Sequence, residues 1–184
     1  MSNTVKSASE KAYQDNFVRE LEKYKWKEPE ELNGNTHAVT VDDLITFWRK
    51  ELNRINADQL EGVELTDHEF QQVMAKVNQI DNSYEAAKIL SAENSMGKID
   101  GIYRDDNPKV TRKQITLTIF RKAEVRGGDS SYRIAREVTT SKNNRFDIVL
   151  LINGLPLINI EQKRVDKDLN EAYFQFKRYY MNGE

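Results

Sequence analysis

The residues best suited to chemistry lie close together in the last third of the chain. Asp147 sits between Phe146 and Ile148 inside the most hydrophobic stretch, and Glu161-Gln162-Lys163 follows directly on Leu157-Ile158-Asn159-Ile160. An acid inside such a strand is costly unless it is paired or binds a metal. Glu161 and Lys163 are two apart, so on a strand they share a face while Gln162 points to the other. Two carboxylates and a lysine on one sheet face have a specific use. The carboxylates hold a hard divalent cation, and the ammonium orients an attacking water or stabilises phosphorane-like charge.

That reading makes a demand on strand register. Residues 146–152 and 155–160 form two apolar runs joined by Asn153-Gly154. A plain two-residue hairpin loop with unbroken pairing sets Phe146 opposite Glu161 and turns Asp147 to the wrong face. A three-residue loop, or a bulge near the turn, sets Asp147 opposite Glu161, and one of these is expected. Taken singly, Asp147 also reads as a strand-end acid pairing with Arg145 or capping a loop, and Glu161 and Lys163 as a strand end reaching solvent. The joint pattern of acid, hairpin, E-x-K and helix is far more specific than its parts.

Around these residues the chain divides electrically. Its 184 residues carry a net charge of -2, but residues 1–100 hold 12 Lys+Arg against 19 Asp+Glu and residues 101–184 hold 16 against 11. The positive half contains the candidate chemistry, as a polyanion-facing surface requires. No run approaches a membrane span, and the polar N-terminus does not read as a secretion signal, so a soluble protein is expected. With no cysteine and only His37 and His68, thiolate zinc sites and a cysteine nucleophile are excluded. A metal held by oxygen is magnesium, manganese or calcium rather than zinc.

The elements that position the site follow from periodicity. Phe17, Leu21 and Tyr24 form one stripe on a helix starting near Ser9 and ended by Pro29 and Asn33-Gly34-Asn35. Thr40 with Asp43 opens a helix carrying Leu44, Phe47, Trp48 and Leu52, and Thr66 with Glu69 opens another carrying Phe70, Val73, Met74 and Val77. Ser83 opens a short helix with Ala86, Ala87 and Leu90. From Gln114 the period becomes two: Ile115, Leu117 and Ile119, then residues 132–138 after a Gly127-Gly128-Asp129 turn, then the two apolar runs. Asp168 with Glu171 caps a final helix holding Ala172, Phe176 and Tyr179. The expectation is an α/β or α+β protein with a mainly antiparallel meander, its helical layer in residues 1–100 and its sheet and last helix in 101–184.

The stretch from Asn144-Arg145-Phe146-Asp147 through Asn153-Gly154-Leu155-Pro156-Leu157 to Glu161-Gln162-Lys163-Arg164 resembles the N-terminal nuclease domain of the R (restriction) subunit, HsdR, of type I restriction-modification enzymes. That domain is a member of the PD-(D/E)XK nuclease superfamily. The close resemblance covers roughly residues 140–180, and the Asn-Gly-Leu-Pro-Leu phrase before E-x-K is its most specific part. It implies a central mixed sheet flanked by helices, with Asp147 and Glu161 as metal ligands, Lys163 as the catalytic lysine and the Gln162 carbonyl as a further metal contact. Gln175 and Tyr179 match the Gln-x-x-x-Tyr of RecB-like nucleases, where a spacing of four puts both on one helical face.

The resemblance further implies Mg2+-dependent cleavage of double-stranded DNA, with methyltransferase and specificity subunits as partners and a cytoplasmic location. None of the eight glycines starts a Walker A loop, so ATP would be used only by a motor region outside this chain, and the nuclease fold is expected to continue past residue 184. Lys142, Arg145, Arg164, Lys167, Lys177 and Arg178 flank the site and could hold phosphates. A catalytically silent scaffold for DNA binding or subunit docking, and a RecB-type repair nuclease, are the competing readings.

Overall fold

The computed structural model describes residues 2–34, 38–82, 84–87, 96–121, 130–142 and 144–162, and in the C-terminal stretch residues 170, 173–174, 177–178 and 181. The element order is α1 (Ser2–Glu22), α2 (Glu30–Asn33), α3 (Val41–Ile55), α4 (Asp67–Val77), β1 (Met96–Tyr103), β2 (Gln114–Arg121), β3 (Tyr132–Thr139), β4 (Arg145–Ile152) and β5 (Leu155–Ile160). It is the α/β arrangement expected, with antiparallel strands in two groups: β1–β2, and a β3–β4–β5 meander. The caps expected at Ser83 and Asp168/Glu171, the turn at 127–129, and Leu90, Ala172 and Phe176 lie outside the described residues.

The chain forms two compact units by contact, residues 1–45 with 131–184, and residues 46–130. The cut at residue 100 follows charge and period, whereas contact groups α1 and α2 with β3–β5 and groups β1 and β2 with α4.

In the first unit α1 lays Val18, Phe17 and Leu21 on Ile134, Ile148 and Leu150 of the meander, with Trp26 and Ile160 completing the cluster. Tyr24, expected on the same stripe, is 74% exposed. The helix ends at Glu22, and Lys25 with φ 71 turns the chain, so helical spacing no longer sets its direction. Arg136 of β3 ties the layers further by donating to Glu28 and to Asp15 of α1.

The outer edge of β3 would expose a row of backbone groups, and side-chain amides and loops cover it. Lys27 and Thr40 make isolated parallel bridges to Arg133 and Thr139, which gives this sheet its mixed character. Between them Asn33 imitates a strand: its Nδ2 donates to the Ile134 carbonyl at 2.8 Å and its Oδ1 accepts the Arg136 N–H at 3.0 Å.

The second unit repeats the device. Asn56 pairs with both backbone groups of Thr118 on β2, and Gln72 of α4 pairs with both groups of Tyr103 on β1. Its core holds Phe47, Trp48, Leu52, Val73, Ile102, Ile115 and Leu117. The Thr66/Glu69 capping box is complete, and Glu69 also accepts from Arg104 Nε at 2.9 Å and from the Asp105 N–H at 2.7 Å. Thr40 and Asp43 likewise exchange bonds at the start of α3. Strand β1 was not evident from periodicity: Gly97 and Gly101 interrupt it, and Gly101 at φ 68 sits in a register shift between Ile99 and Ile102.

Candidate active site

The site is built on the β4–β5 hairpin. Asn153 at φ 52 and Gly154 at φ 80 make a two-residue turn of the kind whose twist matches paired strands, which is why Asn-Gly is favoured there. The turn is anchored: Asn153 is buried, its N–H donates to the Ser131 carbonyl, and its Oδ1 accepts the Ser131 N–H, both at 2.9 Å.

From the turn the ladder starts in the register that would put Asp147 on the wrong face, with Ile152 opposite Leu155 and Leu151 opposite Pro156. The register then shifts between Leu151 and Leu150, and Leu157 is the extra residue. Pro156 has no N–H to give to a ladder, so the bulge falls where regular pairing is already weakened. Beyond it Leu150 faces Ile158, Val149 faces Asn159 and Ile148 faces Ile160. Continued by one position, this sets Asp147 opposite Glu161. Of the two solutions the sequence allowed, the protein uses the bulge and not the three-residue loop.

A hydrogen bond fixes the result. The Gln162 N–H donates to Asp147 Oδ2 at 2.8 Å, so the carboxylate lies against the Glu161–Gln162 step. Asp147 and Glu161 are both half-buried. The Gln162 side-chain oxygen is buried with no hydrogen-bond partner among the described residues. Lys163, Gln175 and Tyr179, together with Arg164 and Lys167, lie outside the described residues. Of the flanking basic residues that are described, Lys142, Arg145, Lys177 and Arg178 are exposed. Residues 170, 173, 174, 177, 178 and 181 are helical, and the exposed Tyr173 and Phe174 rings meet edge to face at 5.6 Å.

One residue on this face escaped the sequence reading. In the β3–β4 ladder Arg136 faces Ile148 and Val138 faces Phe146, so Glu137 lies at the level of Asp147. It forms no ladder pair there, its backbone is at φ 54, and its carboxylate binds the Arg145 guanidinium at 2.9 Å. Only the β3–β4 register reveals it, because nothing in the spacing from Glu137 to Asp147 specifies the pairing across the intervening loop.

The donor chemistry suits a hard cation. Asp147 on β4 and Glu161 directly after β5 offer carboxylate oxygens, and the Glu161–Gln162 step adds amide oxygens, a set that suits magnesium, manganese or calcium over softer metals. Among the described residues no three His, Cys, Asp or Glu side chains converge, so any such site relies on the pair and on ligands other than these. No described helix is long and apolar enough to cross a membrane.

The family model for the N terminus of the type I restriction enzyme R protein matches residues 7–184. The chain is 32% identical over 173 residues to the type I restriction enzyme SauMSSORF170P endonuclease subunit of Staphylococcus aureus strain MSSA476, covering 91% of this chain and 17% of that subunit. The same identity over the same length relates it to the SsaAORF53P endonuclease subunit of Staphylococcus saprophyticus. The EcoprrI endonuclease subunit of Escherichia coli is 30% identical over 83 residues, 45% of this chain and 22% of that subunit. The chain thus spans under a fifth of the length of its staphylococcal relatives.

Proposed function

The chain belongs to the type I restriction enzyme R protein N-terminal family, and on that premise we propose that it is the part of an endonuclease subunit that hydrolyses phosphodiester bonds of double-stranded DNA in a metal-dependent reaction. The observation that carries this reading is the register of the β4–β5 hairpin, which brings Asp147 against the Glu161–Gln162 step.

In this reading Asp147 and Glu161 hold Mg2+, with the Gln162 carbonyl as a further contact. Bound there, the ion supplies Lewis acidity to the scissile phosphate and makes a water more acidic. The Gln162 N–H holds the Asp147 carboxylate in one orientation, so little reorganisation is needed when a cation arrives. Lys163 follows Glu161 by two, a spacing that would put both on one face of an extended chain, where an ammonium would orient the attacking water and offset charge on the phosphate oxygens. Gln175 and Tyr179 contact the DNA backbone or brace the strands.

Cleavage is coupled in the whole protein to ATP-driven translocation by a motor outside this chain. The partners are DNA and the methyltransferase and specificity subunits, in the cytoplasm. Base recognition belongs to the specificity subunit, so none is sought in these residues.

The test uses the full-length subunit in its assembled enzyme, with plasmid cleavage, ATP hydrolysis and translocation measured side by side. Asp147→Ala, Glu161→Ala and Lys163→Ala should each lower cleavage by about a hundredfold or more, with ATP hydrolysis and translocation retained. Undiminished cleavage by Asp147→Ala would leave the chain as a silent scaffold and sink the nuclease reading.

A further inference from the structure

We propose that Arg145 is a phosphate-binding residue of the cleavage site and that Glu137 is the residue that positions it, an inference that rests on the reading of Asp147 and Glu161 as the reactive pair. Arg145 precedes Asp147 by two on β4, so the two side chains leave the same face of the sheet about 7 Å apart along the strand. Thr139 faces Arg145 across the β3–β4 ladder, which puts Glu137 two residues along β3 as its diagonal neighbour on that face. The Arg145 Nη1 to Glu137 Oε2 distance is 2.9 Å, and the two side chains are 62% and 38% exposed.

Stability does not account for this arrangement. An ion pair this exposed contributes little to folding. Yet Glu137 holds a left-handed backbone at φ 54, which a side chain with a Cβ adopts only at a cost, and it does so at the level of Asp147 where the ladder loses a pair. Strain kept beside a candidate reactive carboxylate, for a contact of small intrinsic worth, points to a use for the guanidinium it orients.

Electrostatics say what that use is. Glu137 and Asp147 lie on the neighbouring strands β3 and β4, Glu161 directly follows β5, and the three would together repel a phosphate diester. Arg145 places a cation on the same face at the Asp147 end. A guanidinium has five donors in a planar fork, so one group can serve a carboxylate and a phosphate oxygen at once. Glu137 is assigned to the arginine and not to a metal, because it engages Arg145 and does not converge with two other metal-binding side chains among the described residues.

The experiment measures plasmid cleavage and ATP hydrolysis by the full-length subunit in its assembled enzyme, with Asp147→Ala as reference. Arg145→Ala should lower cleavage about 10- to 100-fold with ATP hydrolysis unchanged. Arg145→Lys, which keeps charge but loses the fork, should fall between it and the unaltered enzyme. Glu137→Gln should cost about three- to tenfold with Arg145 present and nothing further in the Arg145→Ala background, a coupling that a purely structural role does not produce. Cleavage at the normal rate by Arg145→Ala or Arg145→Lys, while Asp147→Ala is inactive, overturns the inference alone. An equal cost of Glu137→Gln with and without Arg145 overturns the positioning role. Should Arg145→Ala also lose ATP hydrolysis, Arg145→Lys decides: reduced cleavage with intact ATP hydrolysis supports the proposal and unchanged cleavage overturns it. Normal cleavage by Asp147→Ala would instead remove the reading on which the inference stands.

Discussion

Replacing Asn153 tests whether the turn is held by chemistry or merely by connectivity. Asn153→Ala removes the Oδ1 that accepts the Ser131 N–H in a setting where Asn153 is 1% and Ser131 7% exposed. Taking the acceptor from a buried donor costs about 1–3 kcal/mol. The backbone at φ 52 adds a second cost, since asparagine enters the left-handed region readily and alanine does so at about 1–2 kcal/mol. The sum, about 2–5 kcal/mol, is a large share of the roughly 5–15 kcal/mol that keeps a domain folded. Asn153→Gly separates the two terms, because glycine adopts the same φ freely and loses only the hydrogen bond and some packing. The chain has two tryptophans, one in each unit, which makes the assay selective. In a Trp48→Phe background, Trp26, packed edge to face on Tyr132 at 5.2 Å, reports the unit that contains the hairpin. Urea unfolding followed by its fluorescence should give Asn153→Ala as less stable than Asn153→Gly, and both as less stable than the parent. Equal midpoints for the two variants would refute the conformational argument. Unfolding free energies within about 0.5 kcal/mol of the parent would refute the anchoring of the turn at Ser131 as well.

Two further outcomes concern the second unit, read through Trp48 in a Trp26→Phe background. Glu69→Gln leaves the Arg104 guanidinium, 1% exposed, without its counter-charge, and should cost about 3–5 kcal/mol in urea unfolding; a loss below about 1 kcal/mol would contradict the buried pair. Asp105 is held below the usual carboxylate range first by the Thr66 hydroxyl and then by His68, and Glu61 by the Thr111 hydroxyl and the Arg112 N–H. Because both folded values lie below the unfolded ones, the stability they contribute is complete above the ordinary carboxylate range near pH ~4 and is lost as pH falls through the lowered values. The urea midpoint should therefore drop on acidification below about pH 4, less steeply in Glu61→Gln/Asp105→Asn. A pH-independent midpoint, or an unchanged slope in that variant, would show that these contacts do not form.

The elements legible from sequence are those whose causes are local. Thr40 with Asp43 and Thr66 with Glu69 satisfy helix-start amides from within four residues, so each helix announces its own beginning. The alternation of Ile115, Leu117 and Ile119 needs only a half-buried strand to express it, and all three are buried. Strand β1 resisted because its glycines and bulged register erase the period, and it is a strand only by virtue of β2 beside it.

For the candidate site, the residue types of Asp147, Glu161 and Lys163 and the Asn-Gly turn were set out by the sequence, along with the requirement that one residue be absorbed somewhere in the hairpin. Which device absorbs it was beyond that reading, since a longer loop and a bulge satisfy the same alternation. The tertiary structure decided for a bulge at Leu157, where Pro156 cannot donate and Ser131, the residue before β3, pins a two-residue turn. It also brought in Glu137, whose level relative to Asp147 depends on how β3 pairs with β4. Sequence specifies chemistry and local period, which neighbours along the chain enforce; register between strands is a property of distant segments in contact, and only the folded chain supplies it.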